Sequence, residues 1–232
     1  MTGQSMTITT PDGAFSAYVA RPTAAKAPAV VVLQEIFGVN AVMRGLCDDL
    51  AAQGYLAVCP DLFWRIEPGI DITDRSDAEW KRAFELFNAF DVETGMADIA
   101  ATIAAVRARP DVAEKVGAVG YCLGGLLAYL TATRTDCDAS VGYYGVGIEK
   151  YTAEAAKLAR PLMLHVAEED QFCPKPVQEL ILTALKNHPQ VEIHTYPGRD
   201  HAFARPGGDH FDAVDAAKAN GRTAAFFQAH LA

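Results

Sequence analysis

GAVGYCLGG, residues 117–125, is the stretch on which the fold turns. A run of strand-type residues ends at Tyr121, and a helix-type run opens with the glycines. Cys122 sits between them, with Gly120 two residues before it and Gly124 two after it. Small residues on both sides suit a sharp strand-to-helix turn, where backbones approach closely and the central side chain is held in a strained, exposed position. The helix that follows points its N-terminal N–H groups at the sulfur, which favours a thiolate and would stabilise an oxyanion. A lone cysteine is ordinarily inert core. Its position at this junction separates Cys122 from Cys47 in a helix, Cys59 at a strand end, and Cys137 and Cys173 in loops.

On either side of this turn, strands and helices alternate. Met6–Thr10 and Ala14–Ala20 flank a Pro11-Asp12-Gly13 turn and read as a hairpin. The continuous apolar run Ala29–Leu33 reads as a strand covered on both faces. Ala41–Gln53 has helical spacing and stops at Gly54. Further strands are expected at Tyr55–Cys59, Lys115–Tyr121, Ser140–Gly145, Leu162–Val166 and Val191–Tyr196. Helices are expected at Asp77–Phe90, Glu93–Arg109, Gly124–Thr133, Thr152–Leu158, Lys175–Asn187 and Phe211–Leu231. This predicts an α/β fold with a mostly parallel central sheet, helices on both faces and an N-terminal antiparallel hairpin. In such folds ligands sit outside the carboxyl ends of the strands.

The bulk composition narrows the function. Half of the 232 residues are hydrophobic, and no linker, repeat or charge block divides them, so residues 1–232 read as one domain. A formal charge of −9 disfavours nucleic-acid and anionic-membrane partners. The polar N-terminus lacks a signal-peptide pattern, and no apolar run approaches the roughly 20 residues that span a bilayer. Five cysteines without close pairs fit neither a disulfide framework nor a C-x-x-C metal motif. The expectation is a reduced, cytoplasmic protein. With no P-loop, no G-x-G-x-x-G and no ligand-spaced histidines, no metal or cofactor is expected, and no obligate protein partner is evident.

Three more strand ends carry chemical residues. Asp170 closes Ala167-Glu168-Glu169-Asp170 and is placed to orient a histidine, with Glu169 as the alternative. Of the six histidines, His201 is the one in a loop directly after a late strand and before the final helix, while His210 reads as a surface or helix-end residue. Nucleophile, acid, histidine is the chain order of the α/β-hydrolase triad. Glu35 lies in Gln34-Glu35-Ile36-Phe37-Gly38-Val39, apolar company in which a carboxylate is costly and desolvation raises its pKa. It reads either as a strand-end residue reaching solvent or as a proton acceptor near the thiol.

QEIFGVNAVMRG, GYLAVCPDLF, VGAVGYCLGG, SVGYYGVGIEK and DHAFAR together resemble the dienelactone hydrolase (carboxymethylenebutenolidase) family, in order and through nearly the whole chain. The resemblance implies Cys122 as nucleophile, His201 as base and then acid, Asp170 as its orienter, and Glu35 as a helper in deprotonating the thiol. It implies an oxyanion hole from the N–H groups of Leu123 and Ile36. Arg205 would hold a substrate carboxylate, with Tyr144 and Phe37 lining the pocket. The implied reaction opens a carboxylate-bearing lactone, of the dienelactone-to-maleylacetate type, in aromatic hydrocarbon catabolism. Two positions depart from the family. Trp80 stands where a second substrate-binding arginine is expected, leaving Arg75, Lys81 or Arg82 to supply the charge. Ala202 stands where the family has serine. Two alternatives follow: a broader carboxylesterase or thioesterase with the same triad, and a non-catalytic binder of the same fold.

Overall fold

The computed structural model describes residues 3–232. The chain divides into two compact units, Met1–Gly117 and Ala118–Ala232.

In the first unit, β1 (Gln4–Thr10) and β2 (Gly13–Ala20) form the antiparallel hairpin, with Thr10 opposite Gly13. β2 pairs antiparallel with β4 (Leu56–Pro60), and β4 pairs parallel with β3 (Ala27–Leu33). The order is β1-β2-β4-β3, followed by β5 (Val112–Tyr121), which runs on into the second unit. Val30 to Leu33 are wholly buried, as the unbroken apolar run requires. Three helices, α1 (Ala41–Ala52), α2 (Asp77–Ala89) and α3 (Val92–Arg107), start at Asn40, Ser76 and Asp91. Each of these side chains accepts a backbone N–H of the first turn, satisfying groups the helix itself leaves unpaired.

In the second unit β5 is followed by β6 (Ala139–Tyr143), β7 (Leu162–Ala167) and β8 (Val191–Tyr196). The β6–β7 and β7–β8 pairs are parallel. α4 (Leu123–Arg134) is buried on every face from Leu123 to Thr133, which explains its lack of a polar stripe. α5 (Lys175–Leu185) and α6 (Ala213–Leu231) complete the unit. A buried polar chain ties α6 to the strands. His165 meets Tyr196 Oη at 2.8 Å and Thr223 Oγ1 at 3.0 Å, and Tyr143 Oη lies 2.6 Å from Thr223 Oγ1. Burial holds the His165 pKa well below the usual histidine value, helped by the nearby His194 and Arg222.

Several expected boundaries shift in the structure: β5 starts earlier, at Val112, and α5 stops at Leu185. The short helix expected at Thr152–Leu158 is a 3₁₀ segment that begins earlier, Ile148–Lys157. β6 stops at Tyr143 rather than Gly145, because Tyr144 takes a left-handed φ of 38°. β4 continues through Cys59 to Pro60. α6 begins at Ala213, because the Asp212 side chain caps it by accepting the Val214 and Asp215 N–H groups. Among the described residues no helix is long and apolar enough to cross a membrane.

The β5–α4 junction depends on glycine. A Cβ on Gly120 would stand 1.8 Å from the Gly124 carbonyl oxygen, and one on Gly125 would stand 2.6 Å from the Tyr143 carbonyl oxygen. Both obstacles are backbone, which cannot swing aside. Gly120→Ala is therefore expected to destabilise the protein by about 3 kcal/mol, the upper range for overpacking. Urea unfolding measures this, and a loss below about 0.5 kcal/mol, the scale of an ordinary surface change, would show that the turn is not tight.

Candidate active site

Cys122 is the residue between β5 and α4, with φ 57° and ψ −114°. A non-glycine residue held there is strained by about 1–3 kcal/mol and persists only where its surroundings enforce it. Here they do. The Cys122 N–H donates to the Tyr143 carbonyl at 3.1 Å, and the Cys122 carbonyl accepts from Gly125, Leu126 and Val146. The side chain is 8% exposed. Leu123 is the first residue of α4, so its N–H has no acceptor within its own helix and lies at the positive end of the dipole.

Asp170 follows β7 and is buried. Its Oδ1 accepts the N–H groups of Phe172 (2.8 Å) and Cys173 (3.2 Å), which frees Oδ2 to accept from His201 Nδ1 at 2.8 Å. The Gln178 amide braces the loop from α5 by donating to the carbonyls of Ala167, Glu168 and Cys173. Glu169, the alternative acid, is instead paired with Lys175 on the surface at 2.9 Å. Sequence reading had no signal for Gln178, because its work is to satisfy carbonyls created by the loop's own path.

His201 is 5% exposed and hydrogen-bonds the Cys122 side chain as well as Asp170. Burial pulls its pKa down. The Cys122 charge, the Asp170 hydrogen bond, the Cys122 hydrogen bond and the Asp170 charge outweigh that, and the imidazole is raised to about 10. Two rings meet it edge-on, Tyr144 at 5.0 Å and Phe172 at 4.9 Å between centroids. Phe172 was not singled out from sequence; it is 38% exposed beside a buried imidazole. Arg205 is half-buried in the turn after His201, its N–H donating to the Ala202 carbonyl at 2.9 Å. Ala202 takes φ 63° and is buried.

The other nominated residues lie in the first unit. Glu35 follows β3 and is 3% exposed, which removes the solvent-reaching reading. The Gln34 side chain anchors the segment by accepting the Leu62 N–H at 3.0 Å. Ile36 and Phe37 are buried, and the loop is pinned by the Val39 N–H to the Ile70 carbonyl and the Ile72 N–H to the Phe37 carbonyl. Gly38, at φ 75°, has the Ile70 carbonyl oxygen 2.0 Å from where a Cβ would lie. Trp80 meets Phe37 edge-on at 5.1 Å and donates its indole N–H to the Asp74 carbonyl at 3.1 Å. Among the cations expected to replace the missing arginine, Arg82 is committed to Glu67 and Glu85, Arg75 lies 3.7 Å from Asp74, and Lys81 is exposed. A cleft of about 650 Å³ in the same unit lies between the hairpin and the 61–71 segment, and none of Glu35, Ile36, Phe37 and Trp80 lines it. Among the described residues no group of three or more His, Cys, Asp or Glu side chains could hold a metal ion.

The chain can be placed among known proteins. The model of the dienelactone hydrolase family matches residues 15–231. A relative from Azospirillum brasilense is 54% identical over 224 residues, covering 95% of each chain. The carboxymethylenebutenolidase of Pseudomonas putida is 41% identical over 223 residues, covering 96% of this chain and 94% of that one. A crystal structure from Klebsiella pneumoniae subsp. pneumoniae superposes with a TM-score of 0.85 at 28% identity, covering 98% of both chains. The mostly parallel α/β architecture with its leading hairpin is thus that of the α/β-hydrolases.

A raised His201 pKa has a measurable consequence. The folded value lies above the roughly 6.5 of an unfolded histidine. His201 therefore adds stability that is complete below about pH 6.5 and is lost as pH rises through about 10. In Cys122→Ala the charge and hydrogen bond of the sulfur are gone. The His201 midpoint, read by NMR titration, is expected to fall below the wild-type value, and an unchanged midpoint would mean that the sulfur does not set it.

Proposed function

Since this chain belongs to the dienelactone hydrolase family, we propose that Cys122, His201 and Asp170 are its catalytic triad. The chain is a hydrolase of lactone and ester bonds. One observation carries the residue assignment: a buried imidazole bonded to Asp170 through Nδ1 and also to the sulfur of a strained Cys122. That arrangement is the nucleophile–base–orienter constellation.

The steps follow from it. The Cys122 thiolate attacks the lactone carbonyl carbon, and the C=O electron pair moves onto oxygen. The Leu123 N–H, with the Ile36 N–H as the proposed second donor, stabilises that oxyanion. Collapse breaks the ring C–O bond and leaves a thioester on Cys122. His201 gives its proton to the departing enolate oxygen. Water then attacks the thioester while His201 takes one of its protons, and the second collapse returns the thiolate and a carboxylic acid. Sulfur is both a good nucleophile and a good leaving group, which suits activated esters rather than amides. Glu35 is the proposed second proton acceptor near the thiol, and Arg205 the partner of a substrate carboxylate. Tyr144 and Phe37 are proposed to line the pocket.

The family match running from residue 15 to 231 supports reading residues 1–232 as one hydrolase domain. Five free thiols fit the reducing cytoplasm proposed as its location. The preferred substrate is a carboxylate-bearing lactone of the dienelactone type. A second reading, a broader esterase, is favoured by Trp80, which packs as an apolar ring against Phe37 and Phe84.

Cys122→Ala is expected to lower hydrolysis of cis- or trans-dienelactone by about 10⁴-fold or more, as for loss of other covalent nucleophiles. Wild-type turnover in that variant would refute the assignment. Arg205→Leu is expected to reduce kcat/KM for acidic substrates by about 10- to 100-fold, the loss of one charge-assisted contact. A neutral p-nitrophenyl ester should be little affected. Equal losses on both substrates would favour the broader esterase.

A further inference from the structure

His201 lies in a turn outside any helix or strand, yet both of its backbone groups are held. Each is held by a side chain. Its N–H donates to Asp200 Oδ1 at 2.6 Å, and its carbonyl accepts from His210 Nδ1 at 3.1 Å. Asp200 Oδ1 also accepts the N–H of Gln171, the residue after Asp170, at 3.1 Å. A single carboxylate oxygen thus joins the loop that carries the imidazole to the loop that carries its acid. His210 Nδ1 lies 3.6 Å from the other oxygen of Asp200.

The backbone bonds between these loops leave a gap that this pair fills. Glu168 N–H donates to the Tyr196 carbonyl at 3.2 Å, and Glu169 N–H to the Arg199 carbonyl at 2.8 Å. The next backbone bond of the turn runs from Arg205 to Ala202. His201 falls between, next to the left-handed φ of 63° at Ala202, a conformation a non-glycine residue keeps only under constraint. Arg199 does not compete for Asp200, since its guanidinium lies on Asp212 and Asp215 at 2.5 and 2.8 Å.

We propose that Asp200 and His210 are positioning residues for the proposed reaction, fixing the His201 imidazole against Asp170 by gripping the backbone on both sides of it. The proposal rests on reading His201 and Asp170 as catalytic partners. Neither Asp200 nor His210 touches the reacting atoms. As an exposed ion pair they contribute little, since their side chains are 32% and 42% exposed. Their effect is geometric, and misplacing a catalytic group by about 1 Å costs about 100-fold.

The test uses the 232-residue chain with p-nitrophenyl acetate and an activated lactone. Asp200→Ala and His210→Ala should each lower kcat by about 10-fold with KM within about 2-fold, as expected for a sub-ångström displacement. Asp200→Asn keeps an oxygen that accepts both N–H groups, and His210→Asn keeps a donor near the position of Nδ1. Both should restore most of kcat. The low-field proton resonance of His201 Nδ1–H should broaden or move in the alanine variants and persist in the asparagine ones. Wild-type kcat in both alanine variants, or losses in the asparagine variants equal to those in alanine, would overturn the proposal. Should Asp200→Ala not fold, the His210 pair reads the same grip from the carbonyl side. His201→Ala separates the two failures. If it stays active, the triad reading is wrong. If it is dead while both alanine variants keep wild-type kcat, only the grip is wrong.

Discussion

One imidazole organises the second unit. His201 is buried, bonded to Asp170 and to the Cys122 sulfur, and raised to a pKa of about 10 by those two neighbours against the pull of burial. A charged group in such a place is tolerated only where opposite charge and hydrogen bonds compensate its desolvation. The surrounding architecture serves that need. β7 and its loop deliver Asp170 with one oxygen already saturated by backbone N–H groups and the other left for the ring. The turn after β5 holds the sulfur at an unfavourable φ with four backbone hydrogen bonds. Tyr144 and Phe172 meet the ring edge-on, Tyr144 fully buried. Strain at Cys122, Tyr144 and Ala202 is concentrated at this centre, where a fold stores it when orientation matters more than local comfort.

Much of this was legible in the order of the residues. The glycines around Cys122 mark a tight turn, and at Gly120 and Gly125 backbone stands where a Cβ would go. Alternation of apolar runs and helical periods gave the parallel α/β pattern, because buried strands and amphipathic helices differ in period. Asp170 and His201 stood out because each follows a strand, and the structure joins them at 2.8 Å.

What the sequence hid was contact that depends on loop path. Asp200 reads as one more acid in a polar turn until its oxygen is seen to bridge His201 and Gln171. Gln178 is a helix residue whose amide reaches three carbonyls of the Asp170 loop. The end of β6 moved because Tyr144 adopts a conformation that no propensity predicts. The charged residues near Trp80 looked available in sequence, whereas Arg82 is spent on Glu67 and Glu85. Side chains commit to partners that only the fold brings near.

The most direct measurement is mass spectrometry of the enzyme quenched within milliseconds of mixing with an activated ester or lactone. The proposed mechanism requires a transient acyl group joined through sulfur to the peptide that contains Cys122, decaying as product appears. An acyl group on another residue, or rapid turnover with no adduct at Cys122 under conditions that slow deacylation, would contradict it.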